Sequence, residues 1–370
     1  MQQIGLNNNL EVGNHQFHVQ TAYSPGKLQI ISHVFDHGQI IEQRQVTLPG
    51  HLAAPAISKQ VQAVHQETIA EMETLFLIAQ KVKQVKHAPS CFKLGAVFLE
   101  KNLLEDAIES LQLALQIAPD TAEAHTHLAV VHFRQNNLSA AAEAMRQSLK
   151  LAPDFADSHY LLGIINLEMG ELDKAAQAFE AALDINGDFI QARVCLMLSH
   201  LLGMRDGDEI ALPLESILDS LEEISQSDSP DKKSSHLANA LARTRQRGYA
   251  AAAAELQALR QGFQIWRGCT AENEFYLKFL YGNKSQDDAF TKEYVKKLRA
   301  DLRDHPEYAD LHNNLGVAYL IQCRNLFLKA LEEFRAALKI NPKFKHAEKN
   351  LKLSENERKG FLILLRAILK

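Results

Sequence analysis

The chain has 16 histidines, four cysteines and 45 carboxylates, enough to form acid, base and metal pairs by accident, so only spacing can signal chemistry. His18 and His33 are expected to face each other across a hairpin, on the side opposite Phe17 and Val34. Two imidazoles could begin a zinc site. No third ligand is evident, because His15 lies three residues from His18 and should point to the other face of its strand. Cys91, Cys195, Cys269 and Cys323 are isolated, with no CxxC pair, which favours reduced thiols over a metal knuckle or a disulfide framework. GxxxxGK[ST], strand-following GxGxxG, HExxH and GxSxG patterns are all missing. The chain therefore reads as a non-enzyme, with no catalytic residue, cofactor or metal assigned.

What the sequence does contain is repetition. Pro119 and Pro153 lie 34 residues apart, and Gly187 takes the same place 34 residues further on. The segments A-P-D-T-A-E-A-H-T-H-L-A from Ala118, A-P-D-F-A-D-S-H-Y-L-L-G from Ala152 and N-G-D-F-I-Q-A-R-V-C-L-M from Asn186 are one pattern written three times. It returns from His305 and from Asn341. A fixed period in this range means stacked supersecondary units, none of which can bury its apolar face alone.

The unit resembles the tetratricopeptide repeat, a pair of antiparallel helices. Leu94, Gly95, Phe98, Ala107, Leu111, Ala114 and Pro119 match its pattern of large and small side chains in full. Leu128, Ala129, Ala141, Met145, Ser148 and Pro153 match with a polar residue at His132. Leu162, Gly163, Ala175, Phe179 and Ala182 match with Asn166 and Gly187 off pattern. A late copy, Leu315, Gly316, Tyr319, Ala330, Phe334, Ala337 and Pro342, fits only with two extra residues between its helices. The small residues let two helix axes approach to about 8 Å. Degenerate units are expected around R-G-Y-A-A-A from Arg247, and from Phe275 through Tyr294 and Leu298 to Pro306. A helix over 214–224 should close the first stack.

The resemblance implies a binding surface, with the first helix of each pair lining a groove that holds an extended or helical peptide. The positions it assigns to that groove are Phe92, Ala96 and Leu99, then Thr126, Val130, Phe133 and Arg134. Asp157, Tyr160, Ile164 and Leu167 follow, and then Val194, Leu198 and Leu201. These are largely apolar and lack the Lys, Arg and Asn cluster with which chaperone-binding members hold a carboxylate, so the expected ligand is an apolar or amphipathic helix. The chain's own helix over 55–86 is an alternative occupant. By the same resemblance, His125, His159 and His312, which recur at one repeat position, should pack between helices.

The first fifty residues differ in kind. Gly13-Asn14, Pro25-Gly26 and Asp36-His37-Gly38 separate four short alternating segments, which predicts an antiparallel β-meander. Its apolar face, carrying Phe17, Val19, Ile30 and Val34, needs a cover. The spacing of Ile57, Val61, Val64, Met72, Leu75, Ala79 and Val82 predicts a helix over 55–86 that could pack on the sheet, lie along the first stack or pair with a second copy.

The expected architecture is thus mainly α, a two-stack helical solenoid with a small N-terminal β element. Its expected parts are a β-meander at 1–50, a linking helix at 51–87, a first stack at 88–224, a polar linker at 225–235 and a second, degenerate stack at 236–370. No secretory signal and no apolar run long enough to cross a bilayer is present, so a bacterial, cytoplasmic setting is expected. Net charge is −5, but residues 88–188 hold 15 acidic against 6 basic side chains, and residues 343–370 hold 8 basic against 3 acidic. Solvated faces account for both, and the acidic one could also steer a basic partner. The leading expectation is an adaptor or assembly scaffold with a protein or peptide partner. Alternatives are a regulatory protein whose β element binds a ligand, and nucleic-acid binding through the basic end, which is not expected. Oligomeric state is left open. The apolar run F-L-I-L-L-R-A-I-L-K from Phe361 is expected to dock on the chain or on a partner.

Overall fold

The computed structural model describes residues 5–50, 52–206, 214–226, 235–263, 270–282, 288–304, 306, 309–340, 342–343 and 345–368. Among them the chain forms two compact units, Met1–Leu94 with Thr270–Lys370, and Gly95–Cys269.

The first unit opens with four strands, β1 (Gly5–Val12), β2 (His15–Ser24), β3 (Gln29–Asp36) and β4 (Gln39–Thr47), paired antiparallel in the order β1-β2-β3-β4. The meander follows from the turn residues. Gly13 takes φ 62°, and His37 and Gly38 take 46° and 83°, left-handed values that tight hairpins require. The alternation then puts Phe17, Val19, Ile30 and Val34 on one face, and all four are buried. Their cover is α1 (Ala54–Val85), which carries Pro55 in its first turn and packs on β1, β2 and β3. Every member of its expected stripe, from Ile57 to Val82, is buried. Ile57, Val61 and Val64 join Ile30 and Leu48 in one cluster, and Phe76 meets Phe17 at 5.7 Å between ring centroids.

The repeats follow as helix pairs: α2 (Ala88–Glu100) with α3 (Leu104–Ile117), α4 (Ala122–Arg134) with α5 (Leu138–Leu151), and α6 (Ala156–Glu168) with α7 (Leu172–Ile185). Asn102, Asn136 and Gly170 occupy one left-handed turn position 34 residues apart, with φ of 57°, 58° and 75°. Asn and Gly tolerate this region best. In each turn the next residue donates its N–H five residues back, from Leu103 to Phe98 at 2.9 Å, Asn137 to His132 at 2.8 Å and Glu171 to Asn166 at 2.9 Å, which satisfies the ending helix's carbonyls. A Cβ on Gly95 would stand 2.6 Å from Leu111, and one on Gly163 would stand 2.5 Å from Phe179, so both glycines mark close helix contacts. α8 (Ile190–Asp206) and α9 (Leu214–Gln226) follow, and Ile217, Leu221 and Ile224 of α9 are buried.

α10 (Ser235–Arg245) and α11 (Tyr249–Gln261) form the expected helix pair around Arg247, which has φ 57°. They belong with the repeats. α11 packs on α8, so the boundary between compact units does not fall at 225–235, of which residues 227–234 lie outside the described residues. In the first unit, α12 (Thr270–Tyr281) and α13 (Asp288–Asp304) form the other degenerate pair, with Phe275, Phe279, Tyr294 and Leu298 in its core.

The late copy departs from expectation. α14 (Ala309–Ile340) is one continuous helix of 32 residues where a helical pair was expected. The segment V-A-Y-L-I-Q-C-R-N-L-F-L-K-A-L from Val317 holds no glycine or proline, so nothing stops the helix where the turn should lie. A Cβ on Gly316 would meet nothing within 4 Å, which removes the close-contact role of its counterparts Gly95 and Gly163. α15 (Lys345–Ile368) ends the described chain, and the side chains of the apolar run 361–370 lie outside the described residues.

Candidate functional site

The repeat turns aim α2, α4, α6 and α8 so that the expected groove positions recur at one helical phase, but most of those positions are not open to solvent. Ala96, Leu99, Thr126, Val130, Tyr160, Ile164, Leu167, Val194, Leu198 and Leu201 are buried. Phe92 and Phe133 are half-buried, while Arg134 and Asp157 are exposed. Thr126 bonds Ser148 across the helix pair at 2.7 Å, and Arg134 Nη1 donates to the Leu99 carbonyl at 2.6 Å, capping α2.

The later positions are buried in a core to which α11 contributes. Tyr160, Ile164, Leu167, Val194, Leu198 and Leu201 share one core with Ala252, Ala253, Leu256, Leu259 and Phe263. Arg260, nearly buried, donates Nη2 to Glu168 Oε1 at 2.6 Å and so ties α11 to the end of α6. The segment 55–86, weighed above as an occupant, instead spends its stripe on the sheet and on α12.

Tyr160 and Cys195 share this core with the Arg260 guanidinium. Burial pushes the Cys195 thiol up to about 12 and the Tyr160 phenol well above its ordinary value. Both therefore stay protonated at neutral pH, and neither is an activated nucleophile or base.

The recurring histidines have a different role from the expected one. His125, His159 and His312 each donate Nε2–H to the carbonyl of a proline six residues earlier, Pro119 at 3.4 Å, Pro153 at 2.8 Å and Pro306 at 3.1 Å. Arg193 does the same to Gly187 at 2.6 Å. These side chains latch the turn between repeats and do not fill a helix interface. A donor six residues after each turn proline was readable in the sequence, and so was Arg193 as its substitute.

The sheet histidines also shift. The register pairs His18 with Phe35 and Gln20 with His33, so the two imidazoles are offset by two residues and do not face each other. His15 stacks on Phe17 at 5.0 Å and donates to Asp36 at 3.1 Å, on the covered face as expected. Among the described residues no group of three His, Cys, Asp or Glu side chains could hold a metal ion.

One buried site escaped the sequence reading. His65 of α1 is 1% exposed and donates Nε2–H to Asn8 Oδ1 at 3.0 Å. Its Nδ1 then accepts from the Thr21 hydroxyl at 2.9 Å, and Thr21 accepts from Ser32 at 2.7 Å. Burial lowers the His65 pKa, which keeps the ring neutral as this chain of bonds requires. The signal was polar residues, Thr21 and Ser32, at inward strand positions opposite a polar interruption of the helical stripe.

Comparison with known proteins agrees with the helix pairing. A family described as "Tetratricopeptide repeat" matches residues 126–188, and one described as "TPR repeat" matches residues 95–136. Residues 95–188 of the chain thus carry tetratricopeptide repeats. Solved structures with similarity include "Crystal structure of MamA protein", 26% identical over 44% of this chain and 86% of that one, with a TM-score of 0.37. Another is "Crystal structure of YrrB: a TPR protein with an unusual peptide-binding site", 16% identical over 50% of this chain and 90% of that one, at 0.39. A third is "Functional Characterization of Pseudomonas Aeruginosa pilF", 19% identical over 61% and 95%, at 0.36. Comparison with curated proteins returned no match. Among the described residues no helix is long and apolar enough to cross a membrane.

Proposed function

We propose that this chain is a non-enzymatic adaptor or assembly scaffold that holds a protein segment against the α2 and α4 end of the repeat face. The observation that supports this reading is the uneven exposure of the groove positions. From Tyr160 onward all of them are buried in a core that includes α11, and Ala96, Leu99, Thr126 and Val130 are buried too, whereas Phe92 and Phe133, the latter packed on the edge of that core, are half-buried and Arg134 is exposed. Half-buried Phe133 beside exposed Arg134 suits an apolar or amphipathic segment with an acidic neighbour, and Phe92 is the further apolar position that the repeat phase assigns. The buried Cys195 thiol and Tyr160 phenol, both held protonated, add no competing catalytic reading.

The test is affinity capture from the native host with the full chain and with Phe92→Ala and Phe133→Ala. Each substitution should weaken retention of a defined protein by about 1 to 3 kcal/mol while helicity is unchanged. Retention at full strength in the double variant moves the contact elsewhere. Retention of nucleic acid that collapses between low and high salt would replace the adaptor reading.

A further inference from the structure

Within the unit formed by Met1–Leu94 and Thr270–Lys370, a pocket of about 190 Å³ opens beside the α12, α13 and α14 core. Its floor is aromatic: Phe275, Tyr276, Phe279 and Tyr294, with Val317 on one wall. Its rim is polar, with Lys93, Glu272, Asn313 and Asn314. The walls are held in place. The Ser90 and Tyr281 hydroxyls meet at 2.8 Å, Lys81 Nζ donates to the Tyr281 carbonyl at 2.7 Å, and Lys93 Nζ donates to Asn273 at 3.3 Å. These bonds tie the helices that carry the lining, and a site on rigid elements loses less entropy on binding.

Charge and size together select the ligand. Aromatic walls beside a carboxylate would suit a cation, yet the chain's own cations already take these rings. Lys93 Nζ stands 5.0 Å from the centre of Tyr276, and the Arg324 guanidinium stands 5.8 Å from the centre of Phe279. Phe275 is stacked on Tyr294 at 3.9 Å, so that face is occupied as well. An anion would gain Lys93 but meet Glu272, whose carboxylate lies 3.9 Å from the Lys93 ammonium and offsets it. The volume falls below the roughly 300 to 1,000 Å³ of a small-molecule site. It suits a single side chain. Asn314 Nδ2 donates to Glu272 at 2.9 Å, which leaves its carbonyl oxygen to accept a peptide N–H, and the NH2 group of exposed Asn313 can donate to a peptide C=O.

We propose that this pocket receives one neutral apolar side chain of a partner's peptide segment, with Asn313 and Asn314 bonding the peptide groups on either side. This rests on the reading of the chain as a protein-binding module, but uses a site outside the repeats at 95–188.

The experiment uses the full chain with ¹³C-labelled valine and leucine methyls, and blocked amino acids as probes. N-acetyl-leucinamide and N-acetyl-phenylalaninamide should shift the Val317 methyl signals saturably, at about millimolar concentration. The amides of N-acetyl-lysine and N-acetyl-glutamate should bind at least about tenfold more weakly, by desolvation of their charge. Val317→Phe should fill the pocket and abolish the effect. Asn313→Ala, at an exposed position that the fold does not need, should weaken N-acetyl-leucinamide about fivefold. Unsaturable shifts, equal binding of the lysine amide, or an unchanged affinity in Asn313→Ala would overturn the proposal. If these titrations fail while partner capture still depends on Phe92 and Phe133, only this pocket falls.

Discussion

Gly163 and Gly316 occupy the same position of the repeat pattern, and the same substitution should move stability in opposite directions. In Gly163→Ala the new methyl would lie 2.5, 2.6 and 2.9 Å from three atoms of the Phe179 ring. That ring is fully buried and stands 5.9 Å from Tyr160, so it has no open side to retreat to. Overpacking of this kind costs about 1 to 3 kcal/mol, and three contacts below 3.0 Å put it near the upper end. Helix propensity returns about 1 kcal/mol, leaving a net loss of about 2 kcal/mol. In Gly316→Ala nothing lies within 4 Å of the methyl, so only the propensity gain of about 1 kcal/mol remains. The two variants should therefore differ by about 3 kcal/mol. Denaturant unfolding checks this, with hydrogen exchange over α6–α7 and over α14 assigning each change to its own unit. A difference below about 1 kcal/mol, or a more stable Gly163→Ala, would refute the close-contact reasoning.

Two further outcomes are expected. His159→Ala should lose the latch on Pro153 and cost about 0.5 to 1.5 kcal/mol, whereas His159→Arg should retain most of it because Arg193 already serves that position; equal denaturation midpoints for wild type and the alanine variant would count against the latch. Burial lowers the pKa of His65, His127 and His200 below the value of about 6.5 that they regain on unfolding. As pH falls below about 6.5 the unfolded chain binds protons that the native state refuses, so stability drops by up to about 1.4 kcal/mol per pH unit for each ring. Above that pH these rings contribute no slope. Midpoints at pH 7.5, 6.5 and 5.5 test the sign, and His65→Gln should shallow the fall; a midpoint that is flat or rises towards pH 5.5 contradicts it.

Much of the fold was legible because it rests on local rules. The turn residues Pro119, Pro153 and Gly187, the small residues Gly95 and Gly163, and the stripe from Ile57 to Val82 all act within a few turns of chain. Their outcome needs no knowledge of distant partners. The meander was legible for the same reason, since Gly13, His37 and Gly38 set its hairpins. The late repeat misled because its small and large residues kept the pattern after the turn signal had gone, and without a breaker the continuous helix α14 is favoured.

The candidate site was legible only as a set of positions. A repeat phase tells which side chains share a face, and Tyr160, Ile164 and Val194 fall in one buried cluster. Whether that face stays open depends on segments far away in sequence. α11, about ninety residues beyond α6, joins its core, with Arg260 reaching Glu168 across a separation of 92 residues. The same holds for His65, whose partners Asn8, Thr21 and Ser32 arrive from three strands. Sequence by itself determined the helix pairs, their turns and the meander, because backbone propensity and side-chain period are encoded within each segment. Only the tertiary structure decided which apolar faces are covered and by what, because burial is settled by long-range packing among several segments that compete for the same surface.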